Sequence, residues 1–378
     1  MEYVQEGITT LHDFGAARPS APTGDAAVVV PMTEREHAGL AAERVLSALE
    51  TVDPERVIVP LRAPVDRVEA VVEWLAGFDL PLEVLWCDGP RLASLLSETG
   101  LNGTRGKGRD LWLALGIAAT SDYVVVHDAD AKTYDENHVS KLLFPLDNGL
   151  AFSKGYYARV ENDRLYGRLF RLLYRPLVEA LSRDEAAPIL NFLGAFRYAL
   201  AGEFATTGRL ARRLRIQRGW GLEVGTLGEA FRLVGAEDVA QVDLGVHEHD
   251  HRSVSGPSGL SEMSRQVASA LFRVVEENGG DPAYGTIVDR YRTAAERLVD
   301  AYALDSAFND LEYDRSGERK QIETYAEAIE PPGSDTRLPA WETAPIAPRA
   351  VVDAASEDLD EAMDVESSGI ALNCRLER

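Results

Sequence analysis

Lysine is nearly absent from this chain. Its 378 residues include only Lys107, Lys132, Lys141, Lys154 and Lys320 against 34 arginines, and the 39 bases together face 62 acids. The resulting formal charge of −23 excludes nucleic acid as the expected partner, because a phosphate backbone is held by basic surface. An acidic, lysine-poor surface suits the salt-loaded cytoplasm of a halophile, where screening weakens self-repulsion. A merely acidic protein from a GC-rich genome is the alternative. Cysteine is also scarce: Cys87 and Cys374 stand far apart and form no disulfide framework. No run approaches the roughly 18 continuous apolar residues of a membrane span, and the first residues lack a basic-then-apolar leader pattern. The expectation is a cytoplasmic protein that engages neither nucleic acid nor membrane.

What is present is an apolar content of 45%, enough at this length to bury a large core. The charge is unevenly spread. Between Arg159 and Arg218 there are 12 arginines and 6 acids, so an anionic ligand would be drawn there. Short Val/Ile-rich runs at about 26–30, 56–60, 82–86 and 123–127 alternate with helical patterns at 36–49, 65–76 and 108–119. That alternation predicts βα units and a parallel sheet covered on both faces. The later pattern is less regular: strands at 150–157, 196–200 and 239–246, and helices at 164–181, 222–234, 261–278 and 283–303. From residue 331 Pro, Ser and acid dominate, and 353–366 holds seven acids and no base, the composition of a disordered tail. The expected organisation is an N-terminal extension (1–24), a regular α/β half (25–150), a less regular half (151–258), C-terminal helices (259–330) and the tail (331–378).

The run Tyr123-Val124-Val125-Val126 ends in His127-Asp128-Ala129-Asp130. Carboxylates two apart at a strand end face the same way, and hard cations such as Mg²⁺ or Mn²⁺ take oxygen ligands while leaving room for phosphate oxygens. A nucleotide-sugar glycosyltransferase would place its metal there, beyond the carboxyl ends of parallel strands; an ordinary Asp-rich turn is the competing reading. Gly103-Thr104-Arg105-Gly106-Lys107-Gly108 precedes a helix and could cradle a diphosphate, or only cap that helix. His247, His249 and His251 alternate along an extended segment, as metal ligands or as a solvated loop. Glu223 follows Gly219-Trp220-Gly221 in a first helical turn, where it could hold a sugar or merely favour the helix dipole. Arg164, Arg168, Arg171 and Arg175 recur at helical spacing with few acids nearby in sequence, which suggests an anion-binding face.

Taken in order, these segments resemble the retaining glucosyl-3-phosphoglycerate synthases, with mannosyl-3-phosphoglycerate synthases as neighbours. The resemblance runs over roughly residues 26–275. It rests on Val28-Val29-Val30-Pro31, Gly106-Lys107-Gly108, Asp128-Ala129-Asp130, Gly167-Arg168, Leu200-Ala201-Gly202-Glu203-Phe204-Ala205, Gly219-Trp220-Gly221-Leu222-Glu223-Val224-Gly225, the 239–249 stretch and Met263-Ser264-Arg265-Gln266-Val267. It implies an α/β GT-A fold with a Rossmann-like nucleotide-sugar-binding half (25–150) and an acceptor- and metal-binding half (151–258), an NDP-sugar donor such as UDP-glucose, a small anionic acceptor, Mg²⁺ or Mn²⁺, and glucosyl transfer towards a compatible solute. By the same resemblance Asp130 and His249 would ligate the metal, and Lys107, Asp128, Pro31 and Leu200 would bind the nucleotide sugar. Glu223 and Asp130 would be catalytic, and Gly167, Arg168 and His251 would hold the acceptor. The chain departs from the family pattern at Phe170, where a threonine is usual, and at His251, where an asparagine is usual. It also departs at Pro60-Leu61-Arg62-Ala63-Pro64, which replaces a Ser/Asp-rich turn. Mannosyl transfer, a different small anionic acceptor, or a non-catalytic nucleotide-binding protein on the same scaffold are the alternatives. A homodimer, with the helices after residue 261 at its interface, is the expected assembly by analogy.

Overall fold

A computed structural model describes residues 5–183, 187–249 and 257–363, with side chains from residue 261 onward in the last stretch. Its strands are β1 (Thr9–Leu11), β2 (Ala26–Val29), β3 (Met32–Thr33), β4 (Arg56–Arg62), β5 (Leu82–Trp86), β6 (Tyr123–Val126), β7 (Phe152–Ala158), β8 (Val160–Glu161), β9 (Arg164–Leu165), β10 (Phe204–Thr207) and β11 (Val239–Val246). Nine of them form one sheet in the order β1-β11-β7-β10-β6-β2-β4-β3, with β5 on the other side of β4, and β8 and β9 form a separate hairpin. Every residue of β2 is buried, as a strand covered by helices on both faces requires. The pairing is parallel except around β10, which runs antiparallel to both β6 and β7. This is the mixed α/β architecture expected.

Proline does not stop the second core strand. β4 continues through Pro60 to Arg62, because Leu61 turns its carbonyl to Cys87 N–H on the β5 side while Pro60 faces the break between β2 and β3. A residue without an N–H is tolerated where no partner carbonyl awaits it. Part of the expected N-terminal extension is also built in: β1 pairs in parallel with β11 at the sheet edge.

Of the stretch expected as a disordered tail, residues up to 363 are packed, and 364–378 lie outside the described residues. Trp341 stacks on Trp112 with ring centroids 4.1 Å apart. The indole N–H of Trp112 donates to Pro339 O at 2.7 Å, and that of Trp341 to Trp112 O at 2.7 Å. The helix Pro348–Ala362 buries Val351, Ala355 and Leu359 along one face, and its buried Asp358 accepts the backbone N–H groups of Arg91 and Leu92. Composition misread this segment because its other acids, Asp353, Glu357, Asp360 and Glu361, form the wet face of an amphipathic helix. Cys87 is a free, buried thiol.

Candidate active site

The reversed direction of β10 assembles the site. Its first residue, Phe204, pairs with Val126 at the end of β6 and with Lys154 of β7, so Ala201-Gly202-Glu203 enters at the mouth where β6 delivers Asp128. A strand was expected at 196–200; the chain there is instead an irregular approach to β10, holding Leu200 half-buried. A Cβ on Gly202 would overlap the Asp128 carboxylate, so only glycine lets that carboxylate lie where it does.

Lys107 opens the helix Lys107–Ala118 and pairs with the Asp128 carboxylate, with Glu223 Oε1 3.7 Å from the same ammonium. The flanking glycines serve a crossing of chains. A Cβ on Gly106 would stand 2.9 Å from the Arg218 carbonyl oxygen, and one on Gly108 would overlap that of Gln217. The crossing segment leads directly to Gly221 and the helix Leu222–Val234, whose first turn carries Glu223. The two glycine motifs are therefore one construction that brings Lys107 and Glu223 together.

Asp130 and His249 also meet, with 3.2 Å between Oδ1 and Nδ1. An antiparallel bridge of Ala131 with His249 holds the segment after β11 in place, helped by Lys132 N–H to Glu248 O at 2.8 Å. His247 lies beside His249, with 4.3 Å between their ring centroids, but deeper in the fold. It is buried, stacked on Tyr157 at 4.1 Å between ring centroids, with Nε2 3.8 Å from Glu203 Oε1. Among the described residues no three His, Cys, Asp or Glu side chains converge as a self-contained metal set. His251 lies outside the described residues.

Burial in this mouth sets the charges. Burial opposes a charged Lys107, but the Asp128 and Glu223 carboxylates outweigh it and hold the ammonium above its ordinary range. Burial likewise opposes the Asp128 carboxylate, yet Lys107 brings it down to about 2. Desolvation raises Glu223 and Glu203, and neither oxygen of Glu203 has a hydrogen-bond partner. Desolvation also lowers Lys154 to about 8, although its ammonium donates to Ala201 O. Glu203 and Lys154 carried no assigned role in the sequence. Neither could be picked out by local spacing, because what sets them apart is burial, which the fold alone decides.

A wall of rings leads away from the carboxylates: Tyr157 meets Tyr198 at 5.0 Å, and Tyr198 meets Phe170 at 5.0 Å. Gly167 turns the chain with φ of 77°, against the Tyr198 hydroxyl, and Arg168 follows with its side chain half-exposed. The expected arginine face is not formed. Arg164 belongs to β9 and pairs with Glu312, the turn at Gly167 and a π-helix over Leu169–Tyr174 break the helical register, and Arg171 is buried in a bidentate pair with Glu318 at 2.8 Å. Arg175 donates to Gly194 O. Arg168 is exposed, as Arg164 is, but meets a carboxylate only at longer range, its Nε 3.5 Å from Glu318. The acids that pair with Arg164 and Arg171 lie over a hundred positions away, invisible to local sequence. Pro31 sits half-buried between β2 and β3, on the strand next to β6.

No family model matches the chain. It is, however, 34% identical over 378 aligned residues to the glucosyl-3-phosphoglycerate synthase of Methanococcoides burtonii, covering 90% of this chain and 93% of that one. The chain belongs to the glucosyl-3-phosphoglycerate synthase family. A second member, from Persephonella marina, is 32% identical with 90% of each chain covered. The fold also matches the crystal structure of glucosyl-3-phosphoglycerate synthase from Mycobacterium tuberculosis in complex with Mn²⁺, UDP-glucose and phosphoglyceric acid. That match has a TM-score of 0.55 and 27% identity over 73% of this chain and 89% of the other. The same enzyme with Mg²⁺ and UDP matches with a TM-score of 0.53. As a member of the glucosyl-3-phosphoglycerate synthase family the protein is a hexosyltransferase, and its Asp130–His249 pair has the oxygen and imidazole donors that Mg²⁺ or Mn²⁺ accepts.

Proposed function

We propose that this protein transfers glucose from UDP-glucose to 3-phosphoglycerate with retention at the anomeric carbon, in the cytoplasm, towards a glucosylglycerate-type solute. The observation that carries this reading is the Asp130–His249 pair, assembled from 119 positions apart beside Lys107, Asp128 and Glu223. Mg²⁺ or Mn²⁺ held by Asp130 and His249 would supply positive charge against the leaving diphosphate. Lys107 adds a fixed charge to the same leaving group, and Asp128 orients it. Glu223, raised by burial, hydrogen-bonds the sugar hydroxyls, while Pro31 and Leu200 line the donor pocket. Arg168 offers its fork to the acceptor's anionic group beside Gly167. The Tyr157–Tyr198 wall keeps water from the reacting carbon.

A second acceptor reading has its own support. Phe170 is buried against Tyr174 and Tyr198 and brings no hydroxyl to the acceptor end, which favours a smaller anion such as glycerate. The test is a grid of UDP-, GDP- and ADP-linked glucose and mannose against 3-phosphoglycerate and glycerate, with Mg²⁺ or Mn²⁺. Glucosyl transfer to 3-phosphoglycerate, α-linked by NMR and reduced at least ~100-fold in Asp130→Ala, is the expected result, equivalent to about 3 kcal/mol of transition-state stabilisation. Transfer to glycerate alone would move the acceptor. UDP release that survives Asp130→Ala would remove the metal assignment.

A further inference from the structure

A cavity of about 320 Å³ adjoins the active site, between the helix Pro257–Glu277, the 217–221 loop and the 330–336 segment. Arg218, Arg265 and Arg273 line it, and Glu330 is the one carboxylate among its lining residues. Arg265 and Arg273 lie two helical turns apart and so share a face. In a chain carrying 23 excess negative charges this is an unusual place.

Elsewhere the arginines of this region are neutralised: Arg215 contacts Glu229 and Glu277, and Arg337 lies 3.5 Å from Glu229. Those at the cavity are held differently. Arg218 donates from Nε to Thr336 O at 2.9 Å and from Nη2 to Leu101 O at 3.0 Å, and Arg273 donates to Gly333 O, with the nearby Asp335 carboxylate paired to Arg337. A backbone carbonyl fixes a guanidinium without cancelling its charge. The buried Nη1 of Arg218 has no hydrogen-bond partner, and the carboxylate nearest Arg265 among the described residues is Glu262 at 4.0 Å. Planar guanidinium forks fixed in place around a polar cavity match the oxygens of a phosphate.

We propose that this cavity binds a small phosphorylated anion, at a site separate from the transferase centre and coupled to it through the 217–221 loop. The coupling is structural. The loop that lines the cavity with Arg218, Gly219 and Gly221 packs on its other side against Gly106 and Gly108, and it runs directly into the helix bearing Glu223. Gln266 of the cavity helix accepts the Trp220 backbone N–H at 2.9 Å, tying helix to loop. An anion that draws Arg218 and Arg273 together therefore acts on the segment that positions Lys107 and Glu223.

The test is calorimetric titration of the full chain with inorganic phosphate at low salt, with and without saturating UDP and Mg²⁺. One phosphate per chain should bind in both conditions, and phosphate should change the UDP affinity at least about threefold, with UDP changing the phosphate affinity by the same factor. Arg218→Gln and Arg273→Gln should each weaken phosphate at least about tenfold, the scale of a lost charge-assisted hydrogen bond. Arg265→Gln, at a half-exposed position, should weaken it several-fold with an unchanged melting temperature, which keeps the test decisive if the other variants fail to fold. Loss of phosphate binding when UDP is present, no binding in either condition, or equal affinity in wild type and all three variants would overturn the site. An unchanged UDP affinity would overturn the coupling. If UDP itself does not bind, the functional reading fails instead, and the UDP-free titrations of wild type and Arg273→Gln still decide this one.

Discussion

Lys107 is the residue on which the charge balance of the mouth turns. It faces two half-buried carboxylates, and the depression of Asp128 from 3.8 to about 2 is chiefly its work against desolvation. A depressed carboxylate contributes stability that is present above its unfolded pKa and lost as pH falls through the folded value. Lys107→Met should therefore cost about 2 kcal/mol at pH 7 and remove the corresponding rise in stability between pH 2 and 4, measured by urea unfolding. Lys154 has the opposite history. Burial lowers it from 10.5 to about 8, so between those values the unfolded chain holds a proton that the folded one has released, and stability climbs with pH. That climb should total about 3 kcal/mol in wild type and be missing in Lys154→Met, read as the difference in unfolding free energy between the two proteins at pH 8 and pH 10.5. Asp128, Asp130, Lys107 and Glu223 were legible in the sequence because their spacing and glycine neighbours carry local meaning. Glu203 and Lys154 were not, because what distinguishes them is burial without neutralisation.

Elements arranged these residues, and their ends mattered more than their middles. β10 runs against its neighbours, and that reversal alone puts Gly202 and Glu203 beside Asp128. Its direction cannot be read from Phe204-Ala205-Thr206-Thr207, which is strand-like in either sense. The helix Pro90–Glu98 has Gly89 at its N-cap and no capping side chain of its own, so its free N–H groups are met by Asp358 from more than 260 positions away. Asp358→Ala leaves those donors buried without a partner and should lower stability by about 1–2 kcal/mol in thermal or urea unfolding, with transferase kinetics little changed. The helices at 222–234 and 65–75 and the strand at 239–246 followed from apolar periodicity within a residue or so. The arginine stripe failed because Gly167 and the π-helix after it shift the register that the spacing assumed.

At the scale of the molecule, the C-terminal segment is fastened to the helix Lys107–Ala118 by the reciprocal Trp112–Trp341 contact, which stacks two indoles and satisfies both their N–H groups. Trp341→Ala should cost about 3–5 kcal/mol in urea unfolding, the range of a large aromatic removed from a packed interior. The sequence by itself determined the alternating α/β plan, the acidic surface, and the chemical identity of the Asp128-Ala129-Asp130 and Lys107 motifs, because these depend on residue type and short-range spacing. Only the tertiary structure decided that Asp130 meets His249, that the glycines around Lys107 admit the Gln217–Gly219 crossing, that Arg164 and Arg171 are already paired, and that the acid-rich helix Pro348–Ala362 is folded. Each of these joins groups far apart in the chain. Neither hydropathy nor local spacing encodes which distant carboxylate, carbonyl or ring will complete a buried charge.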